Sequence, residues 1–260
     1  MQALRIFFVS SAFTYRALFS WLNPSAYIFQ KMGFPVLQLT FFVLLGSFGG
    51  ARPLDFYLVG NALLVAYRPM FSIARAISGE RDQGTLPYLL ASPANSVALF
   101  FGHSAYHFID GFFDVAFAFG YAVILFGLDL SRSDWLGLAA AVVVATFGAS
   151  AIGMVMGGAG YLVLDATFLA NGAMFALLLL SGANVPLDDL PQWLAPISRA
   201  LPITRSVEAS RLYVAGADFA SGLPLLAGDA LVGSVWAIAG LLLFRWIEGQ
   251  ARRRGTLEGV

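Results

Sequence analysis

The sequence contains no cysteine, only one lysine and only two histidines. The absence of cysteine excludes disulfides, thiolate metal sites and cysteine nucleophiles. A Walker loop needs a lysine between a glycine and a serine or threonine to reach the phosphates. The one lysine, Lys31, stands between Gln30 and Met32, so the chain has no such loop. Gly-x-Ser-x-Gly and His-Glu-x-x-His motifs are also absent, so we expect no catalytic residues and no nucleotide hydrolysis by this chain.

Charge is also scarce, at 12% of residues, whereas 59% are hydrophobic and the mean hydropathy is +0.77. Soluble domains contain about 25% charged residues. A chain of 260 residues with this composition cannot bury its apolar side chains in one soluble core, so the expected solvent is the bilayer. The formal net charge is +0, which gives no reason to expect nucleic-acid binding. The basic run Arg252-Arg253-Arg254 is suited to membrane lipid headgroups.

Six apolar segments are long enough to cross a bilayer, which takes roughly 20 residues. They cover residues 27–49, 56–77, 97–126, 135–158, 166–183 and 225–246 of a single transmembrane domain, 1–260. Residues 1–25 are amphipathic and are expected to form an interfacial helix, with a seventh span as the alternative. The sequence therefore predicts an all-α membrane protein with six transmembrane helices.

Basic residues are distributed unequally between the predicted loops, and the positive-inside rule places the richer side in the cytoplasm. The richer side has Arg5, Arg16, Lys31, Arg75, Arg81, Arg245 and the arginines at 252–254. The other side has Arg52, Arg132, Arg199, Arg205 and Arg211. We expect a multi-pass protein of a prokaryotic plasma membrane, with both termini and residues 79–93 in the cytoplasm.

A short polar segment, residues 79–93, separates the second and third predicted spans. Gly84 allows a turn, Thr85 can cap a short helix, and Pro93 ends it. Such a helix presents a leucine face beside charged residues, which suits docking into the groove of a soluble partner. The expected contacts are Glu80, Arg81, Gly84, Thr85, Leu86, Leu89 and Leu90. The alternative is an amphipathic loop that lies on the lipid headgroups.

The longest connection covers residues 184–222 and combines closely spaced prolines with apolar residues such as Trp193 and Ile197. Prolines forbid one continuous spanning helix, and the segment is too apolar for a solvated loop. It predicts a pair of short helices that re-enter the outer face of the membrane. A plain surface cap is the alternative.

The third span contains four ionisable residues on one helical stripe: His103, His107, Asp110 and Asp114. Ionisable groups in hydrocarbon are costly, so this stripe is expected to face protein or water. Three interpretations remain open: a metal site or proton relay, a polar wall of a transport pathway or contact to the N-terminal helix, and ion pairing with the preceding span. The expected ion-pair partners are Arg68 and Arg75.

Two groups of motifs carry a family resemblance. They are Glu80-Arg81-x-x-Gly84-Thr85-Leu86 closed by Ser92-Pro93, and Leu190-Pro191-x-Trp193-Leu194 with Leu201-Pro202 and Arg211. In these motifs, its length and its predicted spans, the chain resembles permease subunits of the ABC-2 family of ATP-binding-cassette exporters. The resemblance implies that residues 79–93 form a coupling helix, that 184–222 form outer re-entrant helices, and that 1–25 form an interfacial helix. One departure is Pro87, where the family commonly has an acidic residue.

The same resemblance implies a cytoplasmic ABC ATPase subunit, which binds ATP and Mg, and a second permease in a homo- or heterodimer. No cofactor is expected in this chain. Its 24 phenylalanines favour a lipophilic or amphipathic, drug-like cargo exported from the cytoplasm or inner leaflet. The candidate pathway rings are Phe41, Phe42, Phe112, Phe113, Phe117 and Phe119. Export of a glycan, lipid or haem-like cargo remains open, as does a non-transporting membrane anchor or receptor for an ATPase.

Overall fold

The structure is a computed structural model that describes residues 24–49, 52–82, 84, 96–160, 162 and 166–254. Over these residues the regular structure is helical, without strands, which confirms the all-α prediction for this part of the chain. The helices are α1 (Pro24–Gly49), α2 (Leu54–Leu64), α3 (Arg68–Asp82), α4 (Ser96–Phe126), α5 (Trp135–Ala159), α6 (Ala166–Leu180), α7 (Ala195–Ala200), α8 (Thr204–Val214) and α9 (Phe219–Arg254). The predicted interfacial helix at 1–25 lies almost wholly outside the described residues.

Five described stretches are long and apolar enough to cross a membrane: Lys31–Gly49, Leu54–Ala76, His107–Phe126, Trp135–Ala159 and Phe219–Ile247. They correspond to five of the six predicted spans. The remaining candidate, α6, has 15 residues and a length of about 22 Å, short of the roughly 30 Å hydrocarbon core. It ends before residue 183, and Gly182 follows with a left-handed φ of 79°, a conformation typical of the chain just past a helix end. The six-span count stays a prediction.

The second span is interrupted in the middle, where the 3-10 turn Val65–Tyr67 joins α2 to α3. Pro69 lies two residues after the turn and has no backbone N–H to donate to it. The missing bond explains the local tightening, and a 3-10 stretch inside a helix often marks a hinge. The span therefore consists of two segments with a defined junction between them.

Helix α5 is the central element of the described bundle and packs against α3, α8 and α9. It begins at Asp134, whose Oδ1 accepts from the backbone N–H groups of Leu136 and Gly137 at 3.0 and 3.2 Å. This carboxylate satisfies two of the donors that a helix leaves unpaired at its amino end. Because α5 also contacts α4, α6 and the 3-10 turn, it fixes the relative positions of most described helices.

The 184–222 segment contains two short helices, α7 and α8, as the prolines predicted. Their re-entry into a membrane stays a prediction. Helix α8 packs on α2, α5 and α9. Its buried residues are Thr204, Ser206, Val207, Ala209, Ser210 and Tyr213. The following helix, α9, begins at Phe219 and continues to Arg254, so it extends beyond the predicted 225–246 span at both ends.

Candidate functional site

Four charged side chains from three spans meet inside the bundle and form what we call the charge cluster: Lys31 on α1, Arg68 at the α2–α3 junction, and Asp110 and Asp114 on α4. Lys31 Nζ lies 3.1 Å from Asp114 Oδ1 and also pairs with Asp110 Oδ1. Arg68 Nη1 lies 3.3 Å from Asp114 Oδ2. Two cations thus face two carboxylates, and the charges of these four residues balance.

Asp114 is the centre of the charge cluster. Its side chain is only 4% exposed, whereas the side chains of Lys31 and Arg68 are each 19% exposed. A carboxylate this deeply buried is tolerated when opposite charges and hydrogen bonds replace the water that it loses. Each oxygen of Asp114 faces a different cation. Asp114 on the third span therefore contacts both the first span, through Lys31, and the second span, through Arg68.

The charge cluster also fixes the junction in the second span. Arg68 Nη1 donates to the carbonyl oxygen of Lys31 at 3.0 Å, and its guanidinium lies 5.4 Å from the centre of the Phe34 ring. The neighbouring Tyr67 hydroxyl donates to Oε1 of Gln38 at 2.8 Å. The side chains of Tyr67 and Arg68 therefore hold the junction to α1. Movement at the junction would displace residues of the first and third spans.

The predicted stripe of the third span is placed as follows. Asp110 and Asp114 contact the same Lys31 and so lie on one side of α4. His107 is buried one turn earlier, and the His103 side chain lies outside the described residues. Among the described side chains, no three of His, Cys, Asp and Glu converge as metal ligands would.

The partners of the stripe differ in part from those predicted. Arg68 contacts Asp114, whereas Arg75, two turns further along α3, is exposed. Lys31 replaces it. Sequence reasoning counted Lys31 as a flanking charge, although a lysine inside an apolar segment is a signal that a carboxylate partner lies nearby.

The predicted docking segment begins at the far end of the second span. Helix α3 continues to Asp82, so the backbones of Glu80 and Arg81 form its last turn. Gly84 is exposed and has a left-handed φ of 67°, which turns the chain out of α3 and favours glycine because it has no Cβ. The other predicted contact residues, Thr85, Leu86, Leu89 and Leu90, lie outside the described residues.

Arg211, on α8, connects three elements at the opposite end of the second span. Its Nη2 donates to the carbonyl oxygens of Phe56, Gly182 and Ala183 at 3.1, 2.9 and 3.1 Å. Its guanidinium also lies 3.6 Å from the centre of the Phe56 ring. Burial lowers the pKa of Arg211 to about 10, which leaves it a cation at neutral pH. The side chain therefore holds α8 against the start of α2 and the end of α6.

We expect Arg211→Gln to lower the free energy of unfolding by about 1.5–3 kcal/mol, because carbonyl oxygens that accepted from a cation lose their donor. Arg199→Gln is the matched control, since Arg199 is exposed on α7 and should change stability little. Denaturation of both variants in mixed micelles measures the difference. Equal stability of the two variants would contradict the connecting role of Arg211.

The chain matches the model of a known protein family. The family model of the ABC-2 type transporter matches residues 10–214, which is most of the chain. The chain belongs to the ABC-2 type transporter family. This match confirms the resemblance that the motifs at 80–93 and 190–211 predicted. A comparison with curated proteins found no match.

Family membership defines the broad role of the chain. The ABC-2 domain is a transmembrane permease and not a nucleotide-binding domain. The family implies that the permease partners with an ABC ATPase, and the apolar helices agree with a multi-pass membrane protein.

Proposed function

We propose that this ABC-2 permease is the membrane subunit of an ATP-driven exporter, working with a second permease and two cytoplasmic ATPase subunits that bind ATP and Mg. Residues 79–93 receive the ATPase. The cargo is a lipophilic or amphipathic, drug-like molecule that leaves the cytoplasm or inner leaflet through a path between the two permeases.

One observation supports this proposal: the second span has two helical segments, and the second of them connects the charge cluster to the predicted docking segment, residues 79–93. Its α3 segment runs from the 3-10 turn to Asp82, two residues before Gly84. Arg68 at the joint pairs with Asp114 on the third span and binds the Lys31 carbonyl on the first. Displacement of Gly84 by a closing ATPase would therefore be transmitted to the first, second and third spans. An ATP-driven change between two conformations of the permease requires such a connection.

The choice of cargo rests on aromatic side chains of the first and third spans. Phe41 and Phe113 are 60% and 62% exposed, and Phe117 is half-buried. Exposed rings suit an apolar ligand better than a highly hydrated one. The remaining candidate rings include Phe119, which is buried in the core and is not offered to a ligand.

The docking role is tested by Gly84→Val with Gly49→Val as its control. A β-branched residue at a left-handed φ costs about 1–2 kcal/mol and would redirect the chain that enters residues 85–93. Gly49 is exposed at the end of α1, and an added Cβ there meets nothing within 4 Å. We expect Gly84→Val to reduce co-purification with the partner ATPase and its cargo-stimulated ATP turnover by roughly tenfold, a loss of about 1.4 kcal/mol in coupling.

The control defines the outcomes. Gly49→Val should retain both properties. Unchanged association and turnover in Gly84→Val would contradict docking at this segment. ATPase association without cargo-stimulated turnover in the unmodified protein would instead favour a membrane anchor or receptor.

A further inference from the structure

The amino end of α8 is capped by a carboxylate from a different helix. Asp229 on α9 is 1% exposed, and its Oδ2 accepts from the backbone N–H groups of Ile203 and Ser206, both at 3.0 Å. The Ser206 hydroxyl donates to the same oxygen at 2.5 Å. A helix is normally capped by the side chain of the residue that precedes it. Here that residue is Ile203, which has no acceptor, so Asp229 performs the capping from the last span.

The capped turn is strained. Ile203 has a φ of 82° and is fully buried, and it is the one residue other than glycine with a positive φ among the described residues. A β-branched residue in this region is a genuine outlier, because its side chain collides with its own backbone. Such strain persists only where surrounding contacts impose it, and it is concentrated at functional and switch regions. The hydrogen bond from Ile203 N to Asp229 is one of those contacts.

The carboxylate itself is only half satisfied. Asp229 Oδ1 is buried and accepts no hydrogen bond from any described residue, whereas Oδ2 accepts three. The charged neighbour on α8 is Arg205, but its Nη1 donates to the carbonyl oxygen of Arg199. A buried carboxylate oxygen without a donor disfavours the closed arrangement. The contact between α8 and α9 is therefore stabilised by three hydrogen bonds to Asp229 Oδ2. It is destabilised by the backbone strain at Ile203 and by the buried Asp229 Oδ1 that lacks a donor.

We propose that this contact is a latch that opens and closes during the transport cycle, with Asp229 as its positioning residue; this inference rests on the proposed ATP-driven function. Opening relaxes Ile203 and gives Asp229 Oδ1 access to donors. Arg211 holds the other half of α8 to Phe56 on α2, so the amino end moves while the Arg211 end serves as the pivot. The latch lies inside the bundle, since Pro202, next to Ile203, packs against Gly148 near the middle of α5.

The natural absence of cysteine allows a direct test with engineered thiols. A Cβ added at Gly228 lies 3.0 Å from Arg205 Cδ, so the two positions face each other across the α8–α9 contact. Cross-linking of Arg205→Cys with Gly228→Cys by a short bifunctional thiol reagent therefore reports latch closure while Asp229 and Ser206 stay intact. The control pair is Met154→Cys with Gly240→Cys, since a Cβ at Gly240 lies 3.1 Å from Met154 Cβ where α5 packs on α9. The rate of cross-linking by the same reagent is measured for both pairs in the complex with the partner ATPase, with ADP and with ATP plus vanadate.

We expect the trapped ATP state to cross-link the latch pair roughly tenfold more slowly than the ADP state, as the closed form changes from the major to a minor population. The control pair should keep one rate. Equal rates for the latch pair in a complex that still hydrolyses ATP would overturn the latch alone, and equal slowing of both pairs would overturn it too. Failure of the chain to bind the ATPase would overturn the proposed function together with the latch.

A second variant tests the carboxylate. Asp229→Asn keeps the shape and the acceptor oxygen but removes the charge that strengthens hydrogen bonds to an ionised group. Added to the latch pair, it should slow cross-linking in ADP by at least roughly threefold, because the closed state is weakened. An unchanged rate would contradict the role of Asp229.

Discussion

Asp114→Asn is expected to lower the free energy of unfolding by about 3–5 kcal/mol, the usual consequence of removing one partner from a buried ion pair. Arg68 loses the carboxylate that lies 3.3 Å from its guanidinium, and Lys31 loses one of the two carboxylates that it contacts. Removing the carboxylate beside a cation inside an apolar bundle is costly because neither water nor lipid replaces it. The loss should be seen as a lower denaturation midpoint in micelles.

Two comparisons make this prediction specific to the charge cluster. Asp188→Asn removes a carboxylate that is exposed near α7 and should change stability by no more than about 0.5 kcal/mol. Adding Arg68→Gln to Asp114→Asn should restore much of the lost stability, since the second change removes the cation that lost its carboxylate. A double variant that is less stable than Asp114→Asn by the full effect of Arg68→Gln would contradict pairing between the two residues.

Gly153→Ala is expected to destabilise the bundle by at least about 1–3 kcal/mol, although alanine is the better helix former. The added Cβ would lie 2.8 Å from both Cα and the carbonyl oxygen of Met70 and 3.1 Å from Ile73 Cβ. Backbone atoms cannot rotate away as a side-chain tip can, so α5 and α3 would have to separate. The central helix would then lose its contact with the jointed second span.

Gly172→Ala is the control for this effect, because a Cβ at this exposed position of α6 meets nothing within 4 Å. It should be neutral or stabilising by up to about 1 kcal/mol through helix propensity. Denaturation midpoints of the two variants provide the comparison. If Gly153→Ala is as stable as Gly172→Ala, close packing of α5 on Met70 is wrong.

Much of the fold could be predicted from the sequence, because span length and apolar composition are local properties. The shared face of Asp110 and Asp114 followed from helical periodicity, and the proline spacing in 184–222 predicted two short helices where α7 and α8 lie. The short length of α6 was not predicted, since its end depends on the turn at Gly182 within an otherwise apolar run.

Contacts between residues far apart in the chain could not be predicted from the sequence. The pairing of Lys31 with Asp110 depends on which face of α1 packs against α4, and that orientation cannot be derived from a single sequence. The same holds for Asp229 and Ile203, which lie on different helices and meet only in the packed bundle. Periodicity identifies which residues share a face, but the choice of partner for that face is a matter of tertiary packing.

Transport measured in proteoliposomes tests the central claim most directly. The chain is reconstituted with its partner ATPase, and movement of a lipophilic fluorescent dye is followed with ATP and Mg, with a non-hydrolysable ATP analogue, and without the ATPase. ATP-driven export predicts sustained dye movement only when ATP, Mg and both proteins are present, since the chain has no Walker loop of its own. Dye movement at the same rate without ATP or without the ATPase would contradict the claim.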